Sequence, residues 1–322
     1  MHEDIDVHPL CHDGSPYVVI AAKDGASNLL KWAEQHRHAL KAMLLQHKAL
    51  VFRHFTAVDE RLFSDFVHAM TTPVDYTYRS TPRTSVGKHI YTATEFPKEQ
   101  TIPVHCENAY QRRWPARIFF YCQTAATQGG QTPLADVSAV TKALDPAVRA
   151  RFTDKNVLYV RNYGSGIDLP WQTVFQTADK STVERFCLDN DIAFSWKTAE
   201  KLQTRQIRPA MATHPISGEL LWFNQAHLFN VHSLDQPVRS AMLSIFALDD
   251  LPRNSYYGDG SPIEPDVLDH IQETFVRCTS VFDWQQGDIL MADNMLVAHG
   301  RKPFSGPRKV LVMMGDVVDG AQ

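Results

Sequence analysis

Apolar residues recur at the spacing of an α-helix in several parts of the chain. Four segments show this spacing and are predicted to be helices: residues 26–47, 59–70, 181–190 and 264–279. A Ser-Asn pair, of residue types that favour helix N-caps, stands near the start of the first segment. The first two helices precede residue 86, and the other two interrupt the part of the chain that follows it.

Short runs rich in β-branched and aromatic residues dominate the chain from about residue 86 onward, separated by Gly, Pro and Asp. The clearest runs are 117–125, 156–163, 220–229 and 309–318, and a further short strand is expected at 49–55. This pattern favours a sandwich or barrel of short strands with a helical cap.

We expect one domain over residues 1–322 rather than two. Its parts would be a helical N-terminal cap at about 1–85 and a β-rich core at about 86–322. A lid or helical insert is expected within the core at about 161–206. The segment RNYGSGIDLPW at the start of this insert has two glycines and a proline, which suit a mobile lid or an ordinary connecting loop.

Composition narrows the classes of function. The formal net charge of -4 and the pI near 6.4 give no reason to expect nucleic acid or an anionic membrane as a partner. Five scattered cysteines without CxxC spacing suggest reduced thiols. The N-terminus lacks the order of a signal peptide, and no apolar run is long enough to span a bilayer. A cytoplasmic location is therefore expected.

The stretch TIPVHCENAYQRRWP suggests a metal site, because His105 and Glu107 stand one residue apart. On a β-strand, side chains two positions apart point to the same face, so the imidazole and the carboxylate could reach one ion together. His-x-Glu pairs also occur on solvated strands that bind no metal. The pair therefore needs a third ligand.

His299 supplies that ligand from the C-terminal part of the chain. It ends an apolar strand and precedes Gly300 and a turn, which is typical of a position at the mouth of a sheet. Two imidazoles and one carboxylate with open coordination positions form the facial triad of non-haem Fe(II) oxygenases. The set includes no thiolate, which argues against a structural zinc site.

Thr132 and Arg308 predict a second group bound beside the metal. Gly129 and Gly130 allow a tight turn that puts the Thr132 hydroxyl on a nearby rim. Arg308 begins the strand that returns antiparallel towards His299. A guanidinium binds a carboxylate through two parallel hydrogen bonds, and a hydroxyl adds another donor. A co-substrate that carries a carboxylate is therefore expected.

Three motifs, HCENAY, GGQTPLAD and DNMLVAHGRKPFSGPRKVLV, resemble in their order and spacing those of the taurine dioxygenase (TauD/TfdA) superfamily of Fe(II)/2-oxoglutarate oxygenases. Glu in the His-x-acid pair is similar to the clavaminate-synthase-like branch, and within it to syringomycin-type hydroxylases of natural-product biosynthesis. The resemblance covers most of the chain, from about residue 50 to the last strand.

The resemblance implies a fold and roles for the site residues. The fold would be mainly β with α, a double-stranded β-helix (jelly roll) with flanking helices. His105, Glu107 and His299 would be the iron ligands. Arg308, assisted by Thr132, would bind the distal carboxylate of 2-oxoglutarate.

The resemblance also implies a reaction. With Fe(II), 2-oxoglutarate and O2, the enzyme would hydroxylate an unactivated C–H bond of an amino acid or an amino-acid-derived small molecule. Succinate and CO2 would be released. The substrate could be free or bound to a peptidyl carrier protein, and desaturation or cyclisation could replace hydroxylation.

One position departs from the pattern of the relatives. Several of them carry a second arginine four positions after the one that matches Arg308, where it holds a carboxylate or a sulfonate. This chain has Val312 there. An acidic group of the substrate would need a different anchor.

Four further residues are candidates for substrate binding. Arg79 and Thr94 precede the His-x-Glu pair and could bind an amino-acid carboxylate. Asn224 and His227 belong to the run 220–229, which we expect to be a strand beside the site. Each also has an ordinary structural explanation, as part of a solvated loop, a turn or the core.

Two rival functions use the same residues. A metallohydrolase could hold Zn²⁺ with two His and one Glu, and a non-catalytic jelly roll could keep only the fold. The hydrolase does not need Thr132 and Arg308 to bind a second carboxylate, so these two residues favour the oxygenase. The non-catalytic protein would be marked by loss of a ligand or of Arg308, and all of them are present here. The basic cluster Arg112-Arg113-Trp114 is read as a solvated rim or as a contact for a carrier protein.

Overall fold

The computed structural model describes residues 4–23, 27–56, 58–75, 78, 81 and 83–320. Within these residues, the strands are, in chain order, β1 Ile5–Pro9, β2 Val18–Ala22, β3 Ala49–Arg53, β4 Pro73–Val74, β5 Ser85–Gly87, β6 Ile90–Thr92, β7 Ile102–His105, β8 Arg113–Thr124, β9 Gln128–Gly129, β10 Thr132–Asp136, β11 Val157–Tyr163, β12 Ala193–Trp196, β13 Leu202–Arg208, β14 Met211–Thr213, β15 Leu220–Trp222, β16 Arg253–Tyr257, β17 Thr279–Phe282, β18 Ile289–Asp293, β19 Val297–Arg301, β20 Phe304–Ser305 and β21 Lys309–Asp319.

The α-helices of the described residues are α1 Leu29–Gln35, α2 Arg37–His47, α3 Glu60–Met70, α4 Val137–Ala143, α5 Pro146–Lys155, α6 Trp171–Phe175, α7 Lys180–Asp189, α8 Ala226–Phe229, α9 Gln236–Ile245 and α10 Pro265–Arg277. Two short 3-10 helices lie at Val231–Ser233 and Leu248–Asp250. None of the helices in these ranges is long and apolar enough to cross a membrane.

A nine-stranded sheet forms the centre of the fold, in the order β1-β2-β3-β18-β8-β21-β6-β5, with β4 also paired to β21. Successive side chains of a strand point to opposite faces, so each central strand contributes to two cores. In β8, Ile118 and Phe120 belong to one core, while Phe119 and Tyr121 belong to the other.

Helices α1–α3 cover the face of the large sheet that carries Phe119 and Tyr121. Helix α3 forms where the sequence predicts it, because the Asp59 side chain accepts a hydrogen bond from the Leu62 amide and caps the helix. Its apolar residues then recur every three or four positions, so that Phe63 and Phe66 point into this core.

A four-stranded sheet, in the order β17-β10-β19-β7, packs against the other face of the large sheet. Leu134 and Ala298 of this sheet share a core with Ile118 and Phe120 of the large one. The two sheets form a sandwich, and β7 and β19 lie side by side at its edge. A further four-stranded sheet, β12-β13-β11-β16, carries the region of the expected insert.

The N-terminal part of the chain contains the expected helices and the expected strand at β3, but it also contributes to the large sheet. Strands β1–β3 extend the large sheet, since β2 pairs parallel with β3 and β3 pairs antiparallel with β18. The single helix predicted at 26–47 is two helices that meet at His36. At this break, the His36 ring stacks on the Trp32 ring, and its Nδ1 atom is hydrogen-bonded to the carbonyl oxygen of Trp32.

The strand predicted at 220–229 is also wrong, because β15 ends at Trp222 and α8 begins at Ala226. Asn224 causes the change of direction. Its side-chain oxygen accepts a hydrogen bond from the Ala226 amide, and its side-chain nitrogen donates to the Ala210 carbonyl. An Asn that bonds the backbone two residues on is a common turn former.

We expect Phe66→Ala to destabilise the protein by about 3–5 kcal/mol, because it leaves a cavity between α3 and the large sheet. Phe66 is fully buried and packs edge-on against Phe52 and Phe119. Urea unfolding of the metal-free protein measures the loss. The control Ile216→Ala, at a position that is 65% exposed, should cost less than about 0.5 kcal/mol. Equal losses in the two variants would contradict this packing.

Candidate active site

The strand pairing of β7 and β19 sets His105 and His299 directly opposite each other, and the centres of their rings are 4.8 Å apart. Gly300 permits this close approach. A Cβ atom at this position would lie 2.5 Å from the carbonyl oxygen of Ile102 on β7, which is closer than van der Waals contact allows. The sequence therefore needs glycine immediately after His299.

Glu107 lies in the turn that follows β7, not on the strand itself. The same-face argument from strand geometry is therefore wrong for this pair, although the two side chains do come together. Donor atoms of His105, Glu107 and His299 all lie within 4.8 Å of one another. The Nδ1 atom of His105 is 2.9 Å from the Pro103 carbonyl, which leaves Nε2 as the atom for a ligand.

The three donors fit a divalent iron ion. Two imidazole nitrogens and one carboxylate oxygen at one corner are the donor set of the facial triad. Burial lowers the pKa of His299 well below its ordinary value, and the nearby His105 and Arg83 act in the same direction. The His299 imidazole is therefore neutral at physiological pH, with a lone pair available to a metal.

Two amide side chains, which sequence reasoning missed, hold the backbone around Glu107. Asn294, in the turn between β18 and β19, accepts a hydrogen bond from the Glu107 amide and donates to the Glu107 carbonyl. Gln225 donates to the carbonyl of Cys106 at 2.6 Å. Both amides are buried, so the loop that carries the carboxylate has a defined position. Their distance along the chain from Glu107 left no local signal.

Arg83, also missed, contacts the candidate ligand itself. Its Nη2 atom lies 2.7 Å from Oε2 of Glu107, and both side chains are about 95% buried. Arg83 precedes β5 at the edge of the large sheet. It lies in the same stretch as Arg79, which was singled out for substrate binding and lies outside the described residues.

A cavity opens beside the two histidines. Its walls are formed by Arg83, Ala93, Thr94, Ile102, His105, Phe120, Thr132, His299, Gly300, Arg301, Arg308 and Val310. The structure thus brings Thr132 and Arg308 to the same cavity as the two imidazoles, and it places Thr94 there as well. Phe120 packs edge-on against His299 and supplies an apolar wall.

Arg308 is held in the cavity by the glycine turn. Its Nε donates to the Gly130 carbonyl at 3.0 Å, and a Cβ at residue 130 would lie 3.0 Å from the arginine side chain. Burial, with a contribution from Arg301, lowers the pKa of Arg308 to about 10. Arg308 is therefore still a cation at neutral pH and is available to an anion.

Thr132 is buried, and its hydroxyl oxygen accepts a hydrogen bond of 2.9 Å from the indole nitrogen of Trp284. Because this bond occupies an acceptor position of the hydroxyl, the Thr132 proton is free to be donated elsewhere. Trp284 lies in the loop between β17 and β18, and no sequence motif singled it out as a residue of the site.

The other two substrate candidates do not line the cavity. Asn224 is buried in the turn before α8, with its amide bonded to the backbone. His227 is buried in α8, where its ring stacks on Phe275 at 5.0 Å. Neither is among the described residues that line the cavity.

The loop between β11 and α6, predicted as a lid or a connection, is anchored by Asp168. This carboxylate accepts hydrogen bonds from Arg253 on both of its oxygens and from Arg161 on one of them. Burial opposes its ionisation, but the two arginines outweigh that effect and lower the pKa of Asp168 to about 2. Its mobility stays a prediction.

Comparison with known proteins identifies the family of this chain. The sequence model of "Taurine catabolism dioxygenase TauD, TfdA family" matches residues 12–314. The chain is similar to the dapdiamide synthesis protein DdaC of Enterobacter agglomerans, with 40% identity over 319 residues, 99% of this chain and 96% of the relative. It is also similar to a clavaminate synthase-like protein of Arabidopsis thaliana, with 30% identity over 86% of this chain and 84% of that protein.

Solved structures confirm the fold. PvcB of Pseudomonas aeruginosa superposes with a TM-score of 0.59 and 14% identity, over all of this chain and 96% of that one. In a second solved structure, PvcB is described as an Fe, alpha-ketoglutarate dependent oxygenase. AAD-2, solved with Mn(II) and N-oxalylglycine, superposes with a TM-score of 0.56 and 14% identity, over 96% of each chain.

The predicted fold class is thereby confirmed as the mainly β fold, with helices, of this group of oxygenases. The predicted cofactor set of Fe(II), 2-oxoglutarate and O2 is confirmed at the level of the family. The chain belongs to the TauD/TfdA family and is a non-haem iron dioxygenase that depends on 2-oxoglutarate.

Proposed function

We propose that His105, Glu107 and His299 hold the iron and that Arg308, with Thr132, binds the distal carboxylate of 2-oxoglutarate. The observation that carries this assignment is the shared cavity, which has two imidazoles at its wall and a cationic guanidinium beside a hydroxyl donor. Bound iron, 2-oxoglutarate and O2 together supply the oxidising power, and 2-oxoglutarate leaves as succinate and CO2.

Arg308 and Thr132 have complementary tasks in this proposal. The Nε atom of Arg308 is bonded to the Gly130 carbonyl, so the terminal nitrogens of the guanidinium are the ones presented to a carboxylate. Trp284 directs the Thr132 proton away from the indole, so the hydroxyl acts as a second donor. A zinc hydrolase has no use for this pair, and family membership also argues against that rival.

For the substrate, we propose an amino acid or an amino-acid-derived small molecule of natural-product biosynthesis, hydroxylated at an unactivated C–H bond. Support comes from the extended similarity to DdaC, which is named for dapdiamide synthesis. Desaturation and cyclisation use the same cofactors and differ only in how the substrate is placed. Val312 is fully buried and apolar, so it cannot anchor an acidic group of the substrate. Thr94, which lines the cavity, is the predicted candidate for this contact.

The basic cluster Arg112-Arg113-Trp114 gives little support for docking of a carrier protein. Arg112 pairs with Asp191 and Asp319, and Arg113 also pairs with Asp319, so both charges are compensated within the chain. A free small-molecule substrate is therefore the simpler proposal. A cytoplasmic location is supported by the five cysteines, all of which are unpaired.

In the folded protein, the buried side chain of His227 is a neutral imidazole. Burial, together with the nearby His105, lowers the pKa of His227 from 6.5 to about 3. In the unfolded chain the same side chain gains a proton near pH 6.5. Below that pH the unfolded state therefore binds more protons than the folded state, and stability falls as the pH falls towards about 3.

The first test is an anaerobic titration with Fe(II) and 2-oxoglutarate, followed by the weak visible charge-transfer band of the chelate. The wild type should develop the band, and His299→Ala should lose it because one metal ligand is missing. Arg308→Ala should need about tenfold or more 2-oxoglutarate, because a charge-assisted contact is lost. The matched control Arg61→Ala, at a position whose side chain is 91% exposed, should behave as the wild type.

Absence of the band in the wild type would contradict the whole assignment. A band that survives in His299→Ala would contradict the metal ligands, whereas an unchanged midpoint in Arg308→Ala would contradict only the carboxylate site.

Trp284→Phe should raise the dissociation constant of 2-oxoglutarate about fivefold, since one hydrogen bond of about 1 kcal/mol no longer orients the Thr132 hydroxyl. The same anaerobic titration measures it. Trp196→Phe is the matched control, because Trp196 lies in β12 of another sheet and its indole donates to Glu184 of α7. Equal dissociation constants in the two variants would show that Trp284 does not orient Thr132.

The metal-free protein should lose stability between pH 7 and pH 5, and His227→Phe should reduce that loss by about 2 kcal/mol. Phe keeps a ring to stack on Phe275 but has no proton to gain in the unfolded chain. Urea unfolding at both pH values gives the two differences. The idea fails if wild type and variant lose the same amount.

A further inference from the structure

We infer that Arg83 is a positioning residue of the metal centre, which fixes the carboxylate of Glu107 in the orientation that the iron requires. This inference rests on the proposed function, because it assigns Glu107 as a metal ligand. The contact that carries it is the ion pair between Nη2 of Arg83 and Oε2 of Glu107, at 2.7 Å.

The backbone of Glu107 is already fixed by Asn294 and, through Cys106, by Gln225. Backbone contacts do not determine how the carboxylate turns about its own side-chain bonds. The guanidinium of Arg83 determines it, because a charge-assisted hydrogen bond to a carboxylate is short and directional. Arg83 therefore orients the carboxylate of Glu107, which the side chains of Asn294 and Gln225 do not contact through these bonds.

The bond has a consequence for coordination. With Oε2 held by Arg83, the two carboxylate oxygens of Glu107 are no longer equivalent. A carboxylate restrained in this way favours binding to a metal through one oxygen rather than two, and single-oxygen binding leaves more positions open for other ligands. An oxygenase needs those open positions, since 2-oxoglutarate and O2 must both reach the iron.

The other two arginines of the cavity have different partners. Arg301 donates to the carbonyls of Phe96, Pro97 and Gln100 and so fixes the loop before β7. Arg308 donates to the Gly130 carbonyl. Of the three arginines that line the cavity in the described chain, Arg83 is the one bonded to a candidate metal ligand.

Burial makes the pair costly to break. The side chains of Arg83 and Glu107 are 4% and 5% exposed, so loss of the arginine leaves a buried carboxylate without its counter-charge in the metal-free protein. Such a carboxylate turns towards another donor or towards water. The three donors then no longer converge on one point, and metal affinity falls.

The test compares Arg83→Met and Arg83→Lys with the wild type and with the matched control Arg53→Met, which breaks another largely buried arginine–carboxylate pair, with Asp288, away from the residues that line the cavity. Fe(II) dissociation constants are measured anaerobically by calorimetry, without 2-oxoglutarate. Urea unfolding of each metal-free variant shows that it is folded. His299→Ala reports whether the metal occupies the proposed site.

Arg83→Met should weaken Fe(II) binding about 10–100-fold, the usual effect of removing a group that orients a metal ligand. Arg83→Lys should recover part of this loss, since lysine keeps the charge but offers a less directional donor. Arg53→Met should bind Fe(II) as the wild type does, because Arg53 pairs with Asp288 and does not line the cavity.

Wild-type affinity or tighter binding in Arg83→Met would overturn the inference, because Arg83 would then only compete with iron for the carboxylate. If Arg83→Met does not fold, Arg83→Lys decides, and an affinity equal to that of the wild type overturns the inference. Failure of the wild type to bind Fe(II), or binding that survives His299→Ala, would instead contradict the proposed function.

Discussion

Strands β7 and β19 pair so that His105 and His299 face each other across the ladder, and the rest of the candidate site is arranged around that pairing. The register is possible only because residue 300 has no side chain to collide with the Ile102 carbonyl. A shift by one residue would send one imidazole to the opposite face of the sheet and separate the two nitrogens. Backbone hydrogen bonding therefore specifies the position of the two candidate histidine ligands.

The third candidate ligand follows a different physical rule. Glu107 lies beyond the end of β7, so the ladder does not hold it. Side chains distant in the sequence hold it instead: Asn294 and Gln225 bond the backbone, and Arg83 bonds the carboxylate. The site thus combines two rigidly paired histidines with one carboxylate whose position depends on buried polar contacts.

The two sheets of the sandwich bring the candidate metal ligands close to Thr132 and Arg308. Strand β19 carries His299 and pairs with β10, which begins at Thr132. Arg308 directly precedes β21 of the large sheet and bonds the Gly130 carbonyl just before β10. A dianionic co-substrate placed between Arg308 and the iron would meet positive charge at both ends, which suits 2-oxoglutarate better than a neutral molecule.

Local patterns predicted much of this arrangement. Apolar spacing was enough for α3, and motif order was enough to single out the three candidate metal ligands, Thr132 and Arg308. What local patterns could not supply is long-range pairing. Asn294 and Glu107 are 187 positions apart, and the addition of β1–β3 to the large sheet depends on β18, which comes late in the chain.

The turn at Asn224 shows a second limit of local patterns. The run 220–229 is apolar enough for a strand, but one buried amide bonded to the Ala210 and Ala226 backbones redirects the chain into α8. Arg83 was missed for a related reason: it lies in a polar stretch where Arg79 looks equally suitable, and only the fold shows that Arg83 contacts Glu107.

The most direct test of the account is an anaerobic crystal structure with Fe(II) and 2-oxoglutarate, with the iron located by its anomalous scattering. The account predicts iron bound by His105, Glu107 and His299, with the distal carboxylate of 2-oxoglutarate on Arg308 and Thr132. Iron at another position, or a co-substrate carboxylate that avoids Arg308, would contradict it.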